Sequence, residues 1–280
     1  MLEQKFKLAD GNTMPVQGFG LYKVTEQAEL DRAIQAAWEN GYRLFDTAQM
    51  YGNEAMVGAA ISQNQLQRTE LFLTTKIAEA NQGYDQTLRS FEQSLRDLQV
   101  DYVDLLLVHW PLHTHFFETW QAFERLKEEG LARSIGVSNY SMTHLQYLAT
   151  KANMMPVVDQ IEVHPLLNQA DMINFNREQG IVTQAWAPLG RGRNLDHPVL
   201  QLIAQAVGKT TAQVILRWHL QNGISMIPKS VNPARIKENA SIYDFELTTA
   251  QMEQINELNS FIRISQEPEL VYERGAQYPH

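Results

Sequence analysis

The amino-acid sequence predicts an α/β fold in which eight parallel strands, each followed by a helix, close into a (β/α)8 barrel. Short apolar runs, typical of strands buried on both faces, alternate with segments of helical hydrophobic spacing along most of the 280 residues. About eight such pairs follow one another without a Gly-Ser-rich or Pro-rich linker, which favours one closed barrel domain over residues 1–280. An open doubly wound sheet is the alternative, but no Gly-x-Gly-x-x-Gly follows the first strand.

The N-terminal segment predicts a β-hairpin and then the first barrel strand. Residues 6–8 and 14–16 flank Asp-Gly and Gly-Asn turn chemistry, so we expect a hairpin that caps one end of the barrel. Residues 18–20 end the next extended piece. Residues 26–40 then have apolar side chains at helical spacing, and Gly41 is expected to end that helix.

Residues 41–54 contain the second barrel strand and the most informative polar groups. The apolar pair at 44–45 predicts a short buried strand that stops at Asp46, and Tyr51 follows in the connecting loop. Residues 53–61 then have helical spacing, with an Asn at the capping position. A strand, a polar loop and a helix in this order form one βα repeat.

The same alternation continues toward the C-terminus. Further strands are predicted at residues 71–76, 102–109, 134–137, 157–163, 182–186 and 225–227, with helical patterns between them that include residues 86–98 and, at the end, 248–258. Barrels build their active sites at the C-terminal ends of their strands. The polar residues that end these runs are therefore expected to converge on one rim: Asp46, Lys76, His109, Ser138 and Glu162.

Composition excludes several classes of function. A formal net charge of -9 argues against nucleic acid as a partner, and the absence of cysteine removes disulfides, zinc-thiolate sites and thiol nucleophiles. The spacings of Glu162 with His164 and of His109, His113 and His115 match no recurrent ligand pattern, so no metal site is predicted. The first residues lack signal-peptide features and no apolar run approaches bilayer length. We expect a cytoplasmic monomer without a membrane partner.

Four ionisable side chains at neighbouring strand ends, Asp46, Tyr51, Lys76 and His109, allow one specific reaction. Each alone also fits a structural role, as a strand end, a half-buried ring, a solvated terminus or a core histidine. Tyrosine is a weak acid with a reference pKa of about 10, and an adjacent lysine ammonium would lower that pKa. An aspartate would keep the ammonium charged and oriented, and a histidine would position the carbonyl oxygen that accepts the phenol proton. The four residues predict acid-assisted carbonyl reduction by a hydride that arrives from elsewhere.

Three motifs give the chain a resemblance to the aldo-keto reductase family. The first, Gly-Tyr-Arg-Leu-Phe-Asp-Thr-Ala, begins at Gly41 and continues to Tyr51, Glu54 and Gly58. The second, Ile-Gly-Val-Ser-Asn-Tyr, spans residues 135–140, and the third, Ile-Pro-Lys-Ser, spans residues 227–230 with Arg235, Glu238 and Asn239 beyond it. The resemblance implies a TIM barrel, bound NADPH and a catalytic tetrad formed by Asp46, Tyr51, Lys76 and His109.

The resemblance also implies the residues that bind NADPH. Ser138, Asn139 and Gln160 correspond to the groups on the nicotinamide carboxamide, and Trp186 replaces an aromatic residue, more often Tyr, on which the ring stacks. The pyrophosphate would be lined by Pro188, Leu189 and Gly190, the 2'-phosphate by Lys229, Ser230, Asn232 and Arg235, and the adenine by Glu238 and Asn239. Taken alone, Lys229 and Arg235 would fit a solvated helix start.

Substrate contacts are expected from Tyr22, Met50 and Trp110, which adjoin the predicted rim and match substrate-contacting positions in the family. Many relatives have Trp where this chain has Tyr22. The apolar residues of the tail, residues 261–280, imply that it docks, and in the family this segment folds back over the catalytic rim. A tail packed on the side of the barrel for stability alone is the alternative.

The function implied by the resemblance is NADPH-dependent reduction of a small-molecule carbonyl: an aldehyde, a ketone, a dicarbonyl or a keto sugar acid. A cofactor-sensing regulatory subunit, like the potassium-channel β subunits that share this fold, is the alternative, and these subunits also retain a tetrad. A structural protein recruited from the family is a third reading. Turnover of a generic aldehyde distinguishes the first reading from the other two.

Overall fold

The computed structural model describes residues 4–275 and contains an eight-stranded parallel barrel. Two short antiparallel strands come first, β1 (Lys5–Lys7) and β2 (Thr13–Pro15). The barrel strands are β3 (Gly18–Gly20), β4 (Leu44–Asp46), β5 (Phe72–Ile77), β6 (Val103–Val108), β7 (Ala132–Ser138), β8 (Val158–Glu162), β9 (Val182–Trp186) and β10 (Ser225–Met226). The predicted fold class is confirmed.

Eleven α-helices occur within the described residues. They are α1 (Gln27–Glu39), α2 (Glu54–Gln63), α3 (Tyr84–Leu98), α4 (Phe116–Glu128), α5 (Met142–Leu148), α6 (Ala170–Glu178), α7 (Pro198–Val207), α8 (Thr211–Gln221), α9 (Pro233–Ala240), α10 (Thr249–Asn256) and α11 (Pro268–Arg274). Short 3-10 turns lie at Gln49–Tyr51, Arg68–Glu70, Glu79–Asn81, His113–His115 and Gly190–Gly192. Helix α7 is an addition within the β9 to β10 connection, and α10 and α11 follow the barrel.

The strands are hydrogen-bonded in chain order from β3 to β10, and every neighbouring pair is parallel. The first and last strands meet at a seam. There Gln17 forms a parallel bridge with Met226, the Met226 amide donates to the Val16 carbonyl at 3.0 Å, and the Gly20 amide donates to the Pro228 carbonyl at 3.2 Å. These few bonds close the sheet into a barrel.

The barrel interior is filled by apolar side chains, and the N-terminal hairpin closes its lower end. Leu8 and Met14 from the hairpin pack in one buried cluster with residues from the strands, including Leu44, Leu107 and Val158. A larger cluster lies between the strands and the surrounding helices. Burial on both faces explains why the parallel strands read as continuous apolar runs in the sequence.

Asn53 occupies the predicted position before α2, but its side chain does not cap the helix. Its amide nitrogen donates to the Leu21 carbonyl at 2.9 Å and the Val24 carbonyl at 3.2 Å, and its oxygen accepts from Thr47 Oγ1 at 2.7 Å. The expected cap is therefore wrong. Asn53 instead joins the loop after β3 to the loop after β4, because buried backbone carbonyls there require donors.

No single helix in the described part of the chain is long and apolar enough to cross a membrane. Helices α7 and α8 meet that test only as a pair bent by 87°, by length and composition. The apolar faces of both helices are buried in the larger core cluster, with Leu200 and Ile203 on α7 and Val214 and Leu216 on α8.

Candidate active site

The four predicted catalytic side chains lie at one end of the barrel. Asp46 is the last residue of β4, Lys76 lies near the end of β5, and His109 directly follows β6. Because these strands are adjacent and parallel, their ends meet at the same rim. Tyr51 reaches the rim from the 3-10 turn after β4, which ends where Gly52 adopts a left-handed conformation with φ of 62°.

Lys76 is the centre of the polar contacts at this rim. Its side-chain ammonium donates to Asp46 Oδ1 at 2.5 Å, to the Thr47 carbonyl at 2.9 Å and to Tyr51 Oη at 3.2 Å. All three donor positions of the ammonium are thus used, and the side chain is fully buried. The His109 ring also contacts Tyr51, with the two ring centroids 5.8 Å apart in an edge-on arrangement.

The pKa of Tyr51 differs from the sequence-based expectation. Burial raises the pKa of the Tyr51 phenol well above its usual value of 10, and the Asp46 carboxylate raises it further. The expected lowering of this pKa is therefore wrong for the resting site, because removal of the phenol from water has the largest effect and only Arg191 among the described residues opposes it. The phenol consequently keeps its proton throughout the neutral range.

The pKa values of Asp46 and Lys76 depend on burial and on the attraction between the two charges. Burial raises the pKa of Asp46 and lowers the pKa of Lys76, and the ion pair between them opposes both shifts. Gln160 also stabilises the carboxylate, since its Nε2 donates to Asp46 Oδ2 at 2.8 Å. The second proton of this amide goes to Gln184 Oε1 at 2.7 Å, which fixes the orientation of the Gln160 side chain.

A cleft of about 860 Å³ opens above these residues. Asp46, Tyr51 and His109 form part of its lining, and Lys76 lies beneath its floor. The predicted cofactor residues that line it are Ser138, Asn139, Gln160, Trp186, Pro188, Leu189, Lys229, Ser230, Asn232, Arg235, Glu238 and Asn239. Gly190 does not line the cleft, contrary to the expectation, and a side chain at this position would collide with Asn194.

A second cavity, of about 1120 Å³, lies at the opposite end of the barrel beside the hairpin. Residues of the hairpin, of the loops before β4 and β5, and of the segment after α9 line it, including Lys5, Arg43, Leu71 and Tyr243. None of the predicted catalytic or cofactor residues is among its lining residues. Although this cavity is larger, the predicted catalytic side chains lie at the other end of the barrel.

Polar groups on β7 and β9 form a connected patch on one wall of the cleft. Trp186 Nε1 donates to Asn139 Oδ1 at 2.9 Å, and Asn139 Nδ2 donates to the His109 carbonyl at 2.9 Å and to Ser138 Oγ at 3.1 Å. Asn139 has a φ of 62°, which asparagine tolerates better than most residues. A tryptophan at position 186 therefore orients the Asn139 amide, which the more usual tyrosine would not do in the same way.

The far end of the cleft is basic and includes a helix N-terminus. Asn232 caps α9, and its Oδ1 accepts from the Ala234 amide at 2.9 Å and the Arg235 amide at 3.3 Å. Lys229 precedes the helix and Arg235 lies in its first turn, and neither forms an ion pair within residues 4–275. Two unpaired cations beside a helix N-terminus suit a phosphate group.

The predicted substrate-side residues ring the mouth of the cleft. Tyr22 and Met50 are 40% and 41% exposed, whereas Trp110 is buried at 7%. The rings of Tyr22 and Tyr51 lie 5.0 Å apart, so Tyr22 borders the predicted proton donor directly. All three residues line the cleft.

Four further charged or polar residues of the cleft were not predicted as site residues from the sequence: Lys23, Arg191, Ser265 and Gln266. Lys23 Nζ and Arg191 Cζ lie 5.3 Å and 5.7 Å from the Tyr22 ring centroid. The basic residue between Gly190 and Gly192, next to the predicted pyrophosphate segment, was a signal that could have identified Arg191. No sequence pattern marks Ser265 and Gln266, which reach the cleft only because of the path of the tail.

Residues 16–260 match the Aldo/keto reductase family. The glyoxal reductase of Bacillus subtilis is 45% identical over 268 residues, which are 96% of this chain and 97% of that protein. A solved structure of an aldo/keto reductase from Brucella melitensis is 44% identical with a TM-score of 0.88, over 91% of this chain and 99% of that one. The structure of an aldo-keto reductase from Bombyx mori in complex with NADP is 33% identical with a TM-score of 0.90, over 97% and 98% of the two chains.

The chain belongs to the aldo/keto reductase family.

In this aldo/keto reductase the described part of the tail returns to the catalytic rim. The Ile264 amide donates to Glu162 Oε1 at 2.7 Å, which brings Ser265 and Gln266 to the cleft. Helix α11 then docks through Val271, which packs with Trp110 and Leu112 in a small buried cluster. Tyr278, one of the apolar tail residues, lies outside the described residues.

Glu162 does not reach the cleft, contrary to the expectation that it joins the catalytic rim. Its carboxylate contacts His164 Nε2 at 3.0 Å, and the same oxygen holds the tail at Ile264. The side chain is 1% exposed, because the returning tail covers it. Within residues 4–275 of this aldo/keto reductase, no group of three or more His, Asp or Glu side chains is arranged to hold a metal ion.

Proposed function

We propose that this aldo/keto reductase catalyses the NADPH-dependent reduction of small aldehydes, ketones or dicarbonyls to alcohols, with Tyr51 as the proton donor. The observation that carries the proposal is the position of the Lys76 ammonium, which donates to Asp46 and to Tyr51 Oη at the floor of the cleft. A phenol hydrogen-bonded to a buried ammonium, in a cleft of substrate size, is suited to donate a proton to a carbonyl oxygen.

The residues of the cleft fit NADPH. Trp186 offers a flat ring at one wall, next to amide groups of Asn139 and Gln160 that suit a carboxamide. Lys229 and Arg235 offer cations at the other end, beside the N-terminus of α9. The relative from Bombyx mori, whose structure contains NADP, supports this assignment. Bound NADPH would supply the hydride for the reduction.

The protein's own part in the reaction is to donate a proton from Tyr51 and to stabilise the phenolate that remains. Tyr51 is neutral at rest because burial raises its pKa, so Oη carries a proton at the moment a carbonyl oxygen becomes negative. Lys76, 3.2 Å from Oη, would stabilise the phenolate that remains after transfer. Asp46 keeps the ammonium charged and directed, and it is held in turn by Gln160.

His109 would bind the carbonyl oxygen from the side opposite Lys76. Its ring lies edge-on to Tyr51 and its backbone carbonyl is bound by Asn139, so the ring position depends on the nicotinamide wall of the cleft. Trp110 follows it and is packed against the tail helix. The carbonyl substrate would therefore lie between Tyr51, His109 and the exposed rings at the mouth.

A turnover assay tests the proposal. NADPH oxidation should be followed with a panel that contains a simple aldehyde, methylglyoxal, a diketone and a keto sugar acid. The glyoxal reductase from Bacillus subtilis, a relative by sequence, supports inclusion of small dicarbonyls. Oxidation with one or more of these substrates is expected. Tight NADPH binding without turnover of any of them would refute the enzymatic proposal and favour a cofactor-sensing role.

A further inference from the structure

Gln49, the first residue of the 3-10 turn that presents Tyr51, forms four hydrogen bonds through its side chain. Its Nε2 donates to the Ser90 carbonyl at 3.2 Å and to Ser94 Oγ at 3.0 Å. Its Oε1 accepts from the Ala78 amide at 2.9 Å and from Asn81 Nδ2 at 2.9 Å. Both donor and both acceptor positions of the amide are therefore used.

The partners of Gln49 belong to two rigid parts of the barrel. Ser90 and Ser94 lie on α3, and Ala78 directly follows β5, the strand that carries Lys76. The 3-10 turn has little support of its own. Its backbone bonds run only from the Tyr51 amide to the Ala48 carbonyl at 3.0 Å and from Gly52 to Gln49 at 3.1 Å. A short turn of this kind is weakly constrained without side-chain contacts.

The contact with Ser94 continues to a buried carboxylate. Ser94 Oγ donates to Glu54 Oε2 at 3.2 Å, and Thr75 Oγ1 donates to Glu54 Oε1 at 2.5 Å. Thr75 precedes Lys76 on β5, and both Ser94 and Glu54 are buried. The hydrogen bonds thus form a closed circuit from β5 through α2 and α3 to the turn and back to the end of β5. This circuit fixes the turn relative to the strand that carries Lys76.

We infer that Gln49 is a positioning residue that holds Tyr51 Oη within hydrogen-bonding distance of Lys76 during proton transfer. The inference rests on the proposed function of Tyr51 as the proton donor. Proton transfer is sensitive to geometry, and a displacement of about 1 Å can lower a rate about a hundredfold. Gln49 touches neither the cleft nor the reacting atoms, and it acts through the turn.

The substitution Gln49→Met tests the inference, because methionine keeps the length of the side chain and removes all four hydrogen bonds. We expect kcat to fall about ten- to hundredfold, while the KM for the carbonyl and the affinity for NADPH change less than about threefold. Gln35→Met is the matched control. Gln35 is exposed on α1 and its side chain donates to Glu39 on the same helix, so its substitution should leave kcat unchanged.

A double-mutant cycle separates positioning from a general structural effect. If Gln49 acts through Tyr51, Gln49→Met should have almost no further effect on the residual rate of the Tyr51→Phe variant. An equal loss in both backgrounds would overturn the inference, as would an unchanged kcat in the single variant. Ser94→Ala removes one of the four hydrogen bonds and should give a smaller loss of kcat. This variant replaces Gln49→Met in the test if Gln49→Met does not fold.

Amide hydrogen exchange gives a readout that does not depend on turnover. Exchange at Tyr51 and Gly52 should accelerate about tenfold or more in Gln49→Met, whereas exchange in the barrel strands should not change. Unchanged exchange at the turn would overturn the inference. If the parent protein reduces no carbonyl, the proposed function fails, and the exchange measurement still decides whether Gln49 holds the turn.

Discussion

Two opposing effects act on the protonation of the Tyr51 phenol, and their balance differs between the resting site and the proposed reacting state. In the resting site, burial and the Asp46 carboxylate keep the phenol neutral. Once a proton has left, the Lys76 ammonium at 3.2 Å interacts with a full negative charge, and such charge-assisted bonds are about twice as strong as neutral ones. The lysine therefore contributes mainly to the state formed during the reaction.

Removal of the phenol oxygen by Tyr51→Phe should lower kcat by about a hundredfold or more, because the ring still packs but carries no proton. NADPH affinity should be almost unchanged, and both quantities can be measured by steady-state kinetics and by fluorescence titration. Tyr147→Phe, at an exposed position on α5, is the control and should behave like the parent. A Tyr51→Phe variant that reduces aldehydes at the parental rate would show that another group donates the proton.

Arg235→Ala should narrow the expected preference for NADPH over NADH. Arg235 lines the basic end of the cleft without an ion-pair partner among residues 4–275, and a guanidinium suits the extra phosphate of NADPH. Loss of one charge-assisted contact is expected to cost about 1.5–3 kcal/mol of NADPH binding, with little change for NADH. Lys237→Ala, on the exposed side of the same helix, is the control. Equal weakening of both cofactors would contradict the role of Arg235.

At the scale of elements, the contact between β8 and α6 contains a buried carboxyl group that the proposed reaction does not use. Asp159 on β8 is fully buried; Asn176 Nδ2 on α6 donates to its Oδ2 at 3.4 Å, and a backbone hydrogen bond with Tyr140 also stabilises the carboxylate. Burial raises the pKa of Asp159 to about 8. Asp159 Oδ1 and Asn176 Oδ1 have no hydrogen-bond partner within the described residues.

This raised pKa links stability to pH. The unfolded chain releases the Asp159 proton near the ordinary pKa of 3.8, whereas the folded chain retains it to about 8. The contribution of the group to stability is therefore fully present below the unfolded pKa and is lost as the pH rises toward 8.

Asp159→Asn should remove this dependence, so that urea unfolding at pH 8 requires on the order of 5 kcal/mol more than in the parent, with a smaller difference at pH 5. Asp171→Asn, exposed on α6, is the matched control and should not change the pH dependence. If Asp159→Asn and the parent lose stability in parallel between pH 5 and pH 8, the carboxyl does not titrate as inferred.

Helix α11 is the element expected to adjust substrate choice. Val271 packs on Trp110, and the Tyr272 carbonyl accepts from His113 Nδ1 at 2.7 Å. Truncation before Glu269 should lower kcat/KM for bulky or polar carbonyls far more than for a minimal aldehyde, because Trp110 loses its support. NADPH affinity and melting temperature should change little. Uniform losses across substrates, together with a large fall in melting temperature, would show that the tail only supports the fold.

At the scale of the whole molecule, the barrel was predictable because its strands are short apolar runs with sharp ends. The segment 182–186 forms a strand with the predicted bounds, and residues 18–20, which were expected to end an extended piece, form a strand of their own. The electrostatics were less predictable. The neutral Tyr51 phenol and the unexpected contacts of Asn53 depend on burial, which is decided by residues far away in sequence.

The cleft was predictable only where motifs fix its residues. The rim residues at strand ends follow from the repeat itself, but Arg191 and the tail residues Ser265 and Gln266 lie on irregular segments without periodicity. Glu162 shows the same limit, because a strand-end position alone does not reveal that the tail covers it. Loop paths depend on long-range packing, and a single sequence contains little information about them.

The seam between β3 and β10 also has a consequence for synthesis on the ribosome. It joins the first barrel strand to the last, so the sheet keeps two unpaired edges until residues 226–228 have left the exit tunnel. Lys229 and Arg235 emerge directly afterwards. The segment that closes the barrel is therefore followed directly in the chain by the segment that would bind the nucleotide phosphate. A nascent chain cannot capture its cofactor early, and the open edges are exposed to chaperones and to neighbouring chains for most of translation.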